Sequence, residues 1–223
     1  PILVKWMGWR AAFIVPGVLA FVCGAIFVLK CPKEVSAPAK GKGAKAAVKL
    51  SPKLLAQAFF VMTAAAATSS ILFNFTTNAN SQLMSERFRG LIEDPATLGV
   101  LLGVIYAIAS LAQLVVGRLI DRMPIKMLQF WISAAQVPVL IFAAHTQQWV
   151  LFVALLSVMI VVFGQIPFTD AMIVRYVDDR LRSRMAGMRL AVAFGISSAA
   201  GLFLGPIVKG VGFSMALWIM AGI

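Results

Sequence analysis

The sequence predicts an all-α protein, a bundle of helices that crosses a membrane several times. Of its 223 residues, 61% are hydrophobic and 13% are charged, whereas soluble domains have roughly 45 to 50% apolar and about 25% charged residues. Several uninterrupted apolar runs are long enough to cross a hydrocarbon core about 30 Å thick. Because lipid offers the backbone no hydrogen-bond partners, runs of this length must be helices.

The apolar runs follow one another with short polar connections between them. In order they cover residues 11–29, 54–84, 98–116, 127–144, 149–174 and 190–208, and a further apolar stretch begins at Phe213. That last stretch is too short to span a bilayer before residue 223, and the chain opens on Pro1 instead of Met. We therefore interpret the chain as a fragment of a longer protein.

Basic residues are distributed unequally between the two sides of the predicted bundle. Connections around residues 30–53, 118–126 and 175–189 fall on the same side and carry 15 of the 20 Lys and Arg residues. The positive-inside bias predicts that this side is cytoplasmic. We expect a multi-pass protein of the inner (cytoplasmic) membrane whose basic linker, residues 30–53, lies inside the cell.

Charge and residue usage argue against two other classes of protein. The net charge of +12 lies in connections between apolar runs instead of along one polar face, so we expect no nucleic-acid partner. One histidine, two isolated cysteines and the lack of HExxH or GxSxG sequences leave nothing from which to build a catalytic or metal centre. The sequence predicts no enzyme, no metal and no cofactor.

The segment GRLIDRMPIK, residues 117–126, lies between the third and fourth apolar runs. It resembles the repeated loop motif of the major facilitator superfamily of secondary transporters. The matching positions are Gly117, Leu119, Asp121, Arg122 and Lys126. Two other stretches support the resemblance: GWRAAFIVPG is similar to the start of the family's sixth helix, and RYVDDRLRSRMAG to the connection between its tenth and eleventh helices.

The resemblance implies a particular arrangement of the chain. Residues 1–29 would form the last helix of the N-terminal half, residues 30–53 the linker, and residues 54–223 a C-terminal six-helix half cut in its last helix. The fragment would hold helices six to eleven and the start of twelve, and the missing N-terminal half would supply the other wall of a central cavity. Such proteins alternate access to that cavity between the two sides of the membrane.

The motif charges are interpreted as a gate. Asp121 would pair with Arg175 or with helix N-terminal amides, and Arg118 or Arg122 would meet Asp178 or Asp179, in one access state only. The alternative is that these charges only set topology. An aspartate contributes little to topology, and its presence favours the gate.

Asp170 is the one acidic residue inside an apolar run, which makes it a functional candidate. It lies about 30 Å from Trp149 along the predicted helix, near the cytoplasmic boundary. We interpret Asp170 as a gating or ion-pair residue, with proton or cation coupling as the alternative.

Neutral polar residues are the candidates for a cavity lining. Four of them share one face of the second run through their i, i+3, i+4 and i+7 spacing, and three others lie where the family resemblance places the cavity. The set is Asn74, Thr77, Asn78, Ser81, Tyr106, Gln165 and Ser197. The alternative is that they hold helices together by hydrogen bonds or close packing.

These observations favour a secondary active transporter that moves a small-molecule substrate, coupled to an ion or proton gradient. Its surroundings would be the lipid bilayer and the other half of the same chain. The alternative is a membrane receptor or assembly subunit on the same fold that transports nothing.

Overall fold

The structure is a computed structural model that describes residues 2–30, 52–177 and 179–223. Its helices are α1 (Ile2–Lys30), α2 (Pro52–Arg87), α3 (Pro95–Arg122), α4 (Ile125–His145), α5 (Gln148–Tyr176) and α6 (Asp179–Gly222). Within these residues there is no strand, and seven helical stretches are long and apolar enough to cross a membrane. The predicted fold class is confirmed. Most of the predicted linker, residues 31–51, lies outside the described residues.

Two predicted connections are largely helical. We predicted a connection over residues 118–126, and this was wrong, because α3 continues to Arg122 and only Met123 and Pro124 separate it from α4. Cations are favourable at the carboxyl end of a helix, and their long stems can lie along apolar surface. The helix ends where Met123, which precedes the proline, adopts extended backbone angles of φ −117° and ψ 157°.

The predicted connection over residues 175–189 is shortened in the same way. α5 ends at Tyr176 and α6 begins at Asp179, so that Arg182, Arg184 and Arg189 are helical. The length of an apolar run underestimates the length of a membrane helix whose ends carry arginine, because the hydropathy falls before the helix ends.

α6 consists of two helical segments separated at Gly212. Its 44 residues would extend about 66 Å as one helix, roughly twice the thickness of a hydrocarbon core. Gly212 has φ 78° and ψ 169°, a backbone conformation open essentially only to glycine. Gly8 interrupts α1 with almost the same angles, φ 79° and ψ 170°. A lysine precedes each break by three residues and an aromatic residue follows each directly.

α5 is the central helix of the bundle. It packs against α2, α3 and α4, while α6 packs mainly against α2 and α4. α3 and α4 scarcely touch each other although they adjoin in sequence. The helices from α2 to α6 together form a large apolar core. Buried residues of α5, such as Leu155 and Met159, lie at its centre. A smaller cluster around Phe168 fixes the short connection from α3 to α4.

Candidate functional site

A cavity of about 410 Å³ lies between α2, α4, α5 and the carboxyl end of α6. Its polar lining comes from amide and hydroxyl side chains, and none of the described residues that line it is acidic or basic. The polar lining residues are Thr68, Ser69, Gln129, Ser133, Gln136 and Gln165. Such groups donate and accept hydrogen bonds without carrying charge, so the cavity suits a solute with neutral polar groups.

The hydrogen bonds around this cavity centre on the Gln165 side chain. Its side chain is only 6% exposed. The Ser69 hydroxyl donates to Gln165 Oε1 at 2.9 Å, and Gln165 Nε2 donates to Gln136 Oε1. Gln165 Nε2 also lies 3.5 Å from Ser133 Oγ. One buried amide therefore links α2, α4 and α5, which meets the requirement that a buried polar group be hydrogen-bonded.

The polar residues of α4 form a stripe along one face of that helix. Gln129, Ser133 and Gln136 recur at i, i+4 and i+7, the spacing that brings residues to the same side of a helix. Gln129 Nε2 donates to Ser133 Oγ at 3.3 Å, while Gln129 Oε1 is buried without a hydrogen-bond partner among the residues that the structure describes. The sequence analysis did not identify this stripe, although the spacing could have revealed it.

The cavity lies in the middle of the helices. Gln136 is about 17 Å from Ile125 and about 14 Å from His145 along α4, at 1.5 Å per residue. Toward His145, Leu72 and Leu140 border the cavity and belong to the large apolar core. The cavity is thus closed by packed side chains on the side of the carboxyl end of α4.

Beyond that core, Arg87 joins three helices. Its guanidinium donates to the carbonyl oxygens of Thr146 at 3.0 Å and Ala144 at 3.4 Å, and to the Ser214 hydroxyl at 2.7 Å. Ser214 also donates to the Ala144 carbonyl at 3.0 Å. The carbonyls at the end of α4 have no partner within their own helix, so a cation is favourable there. Arg87 holds together the ends of α2 and α4 and the start of the second segment of α6.

The predicted cavity residues are distributed over several places, and Gln165 is the member of the set that lines the cavity around Gln136. Asn74 and Asn78 border a separate, mostly apolar hollow of about 310 Å³ between α2 and α6. Asn78 Nδ2 donates to the Asn74 carbonyl at 2.8 Å. Ser81 lies farther along α2, beside Glu86 and Arg89 in a cleft at the end of the bundle.

Three other members of that set make hydrogen bonds to backbone carbonyls. Ser197, which is 1% exposed, donates to the Ser70 carbonyl at 3.1 Å and links α6 to α2. The Tyr106 hydroxyl is 3.4 Å from the Thr77 carbonyl, and Thr77 itself donates to the Phe73 carbonyl. In this structure Tyr106 and Ser197 make contacts of the kind that join helices.

Asp170 forms an ion pair with Arg189. The distance from Arg189 Nη2 to Asp170 Oδ1 is 2.7 Å, and it joins α5 to the first segment of α6. The Asp170 side chain is 66% exposed, whereas that of Arg189 is 8% exposed. Arg189 Nη1 is buried and has no hydrogen-bond partner in the part of the chain that the structure describes. The sequence analysis had placed Arg189 in a connection, because an arginine at the edge of an apolar run resembles a helix end.

The motif charges lie at the α3 to α4 connection. Asp121, Arg122 and Lys126 are exposed, as is Arg175 at the end of α5. Over residues 2–30, 52–177 and 179–223, Asp121 forms no salt bridge. Of the two residues expected to pair with Arg118 or Arg122, Asp178 lies outside the described residues, and Asp179 is the first residue of α6.

Two apolar motif positions differ in their packing. Leu119 packs against the Phe168 cluster and helps to hold the connection. A Cβ atom at Gly117 would meet no atom within 4 Å. Among the residues that the structure describes, no other helix therefore approaches Gly117 closely. Close approach occurs instead at Gly164, where a Cβ would lie 3.3 Å from Val116 Cγ2.

Within the described part of the chain, no group of three or more His, Cys, Asp or Glu side chains is arranged to hold a metal ion. Comparison with known proteins returned one family. The profile described as Major Facilitator Superfamily matches residues 1–164, which include α1 to α4 and α5 as far as Gly164. Searches among curated proteins and among solved structures found no match. The chain belongs to the major facilitator superfamily and is a multi-pass membrane protein of a family of transporters.

Proposed function

We propose that this chain is part of a secondary active transporter that carries a small, uncharged polar solute across the cytoplasmic membrane by alternating access. The cavity lined by Ser69, Ser133, Gln136 and Gln165 carries the proposal. In this structure the Gln165 amide accepts a hydrogen bond from Ser69 and donates one to Gln136. The hydroxyl or amide groups of a solute can replace the partners in these hydrogen bonds at a low cost in free energy, because each buried group then keeps a partner.

The closure of the cavity at one end, together with exposed charges at the other end of the helices, supports alternating access. Apolar packing and the Arg87 contacts close the end at which α4 terminates. At the opposite end the motif charges are exposed. Under the positive-inside bias, that end faces the cytoplasm, and we assign residues 30–53 to the same side. The arrangement fits a state in which the cavity communicates with the cytoplasm.

A second six-helix half is proposed to complete the cavity. Val137 lines the cavity and is 42% exposed, so that the described helices leave it open there. α1 exposes large apolar side chains along its length, including Phe13 at 74% and Phe21 at 78%. These surfaces are suited to lipid and to an N-terminal half of the same protein. We keep the division into residues 1–29, 30–53 and 54–223 as part of this proposal.

Ion or proton coupling is proposed to involve the Asp170 and Arg189 pair. An ionisable pair inside membrane helices is costly and is usually retained for function. The exposed carboxylate of Asp170 can exchange its partner, whereas the buried guanidinium of Arg189 cannot leave without breaking its packing. Asp121, Arg122, Lys126 and Arg175 are proposed as the gate, since exposed charges can form pairs in the other access state.

The test is solute counterflow by the full-length protein in proteoliposomes, with radiolabelled hexoses, polyols and small neutral amides. Gln165→Leu should reduce flux at least about tenfold, because it leaves the Ser69 and Gln136 groups without their partner. Gln113→Leu, at a half-buried amide of α3 outside the cavity, should keep most of the flux. In the same assay Asp121→Ala should slow flux without reducing the amount of inserted protein.

Two results would contradict the proposal. Equal flux through Gln165→Leu and the parent would remove the cavity from the solute path. Absence of flux for every solute, with a correctly inserted protein, would favour the alternative of a receptor or assembly subunit.

A further inference from the structure

A second hollow lies on the other side of α5, between α3 and α4. Because these two helices both pack on α5 and scarcely touch each other, they leave a groove of about 440 Å³ whose floor includes Ile160 and Gly164. Its walls include Val115 of α3 and Trp131 and Ala135 of α4. The described residues that line it are all apolar.

The groove opens on the outer surface of the bundle. Leu111, Val115 and Trp131 are 58%, 54% and 57% exposed. In a membrane-spanning helix, exposed apolar side chains of this kind face acyl chains. An acyl chain lying in the groove would contact three helices at once, whereas one on a convex surface would contact fewer atoms.

Two arginines continue the α3 wall beyond the end of the groove. Leu111, Val115, Arg118 and Arg122 recur at intervals of four, three and four residues, which keeps them on one side of the helix. Both guanidinium groups belong to exposed residues. Arginine binds phosphate through paired, charge-assisted hydrogen bonds. An apolar groove that leads to two arginines matches the shape of a phospholipid, in which an acyl chain leads to a phosphate.

We propose that the groove between α3 and α4 binds an anionic phospholipid, with an acyl chain against Gly164 and Ala135 and the phosphate at Arg118 and Arg122. The site is separate from the cavity around Gln165, and the proposal does not depend on which solute is transported. Basic groups at the end of an intramembrane groove are known to select anionic headgroups. A zwitterionic lipid can fill the same groove but has a smaller electrostatic attraction to the two arginines.

Lys126 provides a matched control. It is exposed and lies near Arg122 in sequence, but it precedes Trp131 by five residues, about 140° around α4 at about 100° per residue. Its side chain therefore points away from the groove. Neutralising Lys126 changes the net charge as much as neutralising one arginine does, without removing a group from the proposed site.

The experiment is native mass spectrometry of the full-length protein, titrated in detergent with phosphatidylglycerol and separately with phosphatidylcholine. The parent should retain phosphatidylglycerol more tightly. Arg118→Gln combined with Arg122→Gln should weaken that binding about 25-fold, at about fivefold per arginine, and Lys126→Gln should leave it nearly unchanged. Ala135→Phe, which fills the groove and keeps the charge, should also weaken it.

Three results would overturn the proposal. The first is equal retention of the two lipids by the parent. The second is an equal loss in Lys126→Gln and in the arginine variant, which would indicate nonspecific attraction. The third is unchanged phosphatidylglycerol binding in Ala135→Phe. A change of oligomeric state in that variant would instead assign the groove to a second copy of the chain.

Discussion

The two sides of α4 face different surroundings although neither carries a charge in the middle of the helix. One side presents Gln129, Ser133 and Gln136 to the cavity that contains Gln165. The other presents Trp131, Ile132 and Ala135 to the apolar groove. Averaged over the helix, hydropathy identifies a membrane span but does not separate these sides. The separation depends on the positions of the amides around the helix axis.

In α5, two adjacent residues face these two different surroundings, the groove and the cavity. Gly164 lies in the floor of the groove beside Val116, and Gln165 lies in the cavity. A small residue allows α3 to approach α5, and the next residue supplies the amide that joins α2 and α4. Packing on one side thus fixes the orientation of the hydrogen-bonding group on the other.

The largest stability effect is expected where the cavity side is closed, at Arg87. Arg87→Met keeps an apolar stem but removes the donors to Ala144, Thr146 and Ser214. Losing several charge-assisted hydrogen bonds should lower the free energy of unfolding by about 3 kcal/mol. Thermal unfolding of the purified protein in detergent measures the change.

Arg89→Met is the matched control, because Arg89 is exposed on the same end of the molecule. It should change the unfolding temperature little. If both variants unfolded at the parent's temperature, the contacts of Arg87 would not contribute to closure.

A smaller effect is expected on the groove side, at Gly164. Gly164→Val places a methyl-bearing Cβ where Val116 Cγ2 is only 3.3 Å away. Overpacking of this kind should destabilise the protein by about 2 kcal/mol and separate α3 from α5. Gly103→Val, whose Cβ meets no atom within 4 Å among the described residues, should change the stability by only a few tenths of a kcal/mol, in favour of valine, because valine has a better helix propensity than glycine. Equal stability of the two variants would mean that α3 and α5 do not approach closely at Gly164.

The sequence predicted the fold because hydropathy and charge placement are properties of whole runs. It predicted the ends of helices less well, since Arg122 and Arg189 are helical although their charge resembles a connection. For the site, Gln165 was a candidate because it lies in an apolar run at a position where the family resemblance places the cavity. Its partners on α4 were missed because the sequence does not reveal which faces of α2, α4 and α5 meet. The pairing of Asp170 with Arg189 likewise depends on how α5 packs against α6.

The most direct test of the solute path compares Ser133→Cys with Ala135→Cys after Cys23 and Cys31 are replaced by alanine. Both variants are exposed to a charged thiol reagent in permeabilised membranes. A thiol reacts as its thiolate, which forms in water and not in lipid. We predict that the reagent modifies Ser133→Cys and leaves Ala135→Cys unmodified. Ala135 is nevertheless the more exposed of the two residues. Rapid reaction at position 135 with none at position 133 would contradict the assignment of the cavity to solute and of the groove to lipid.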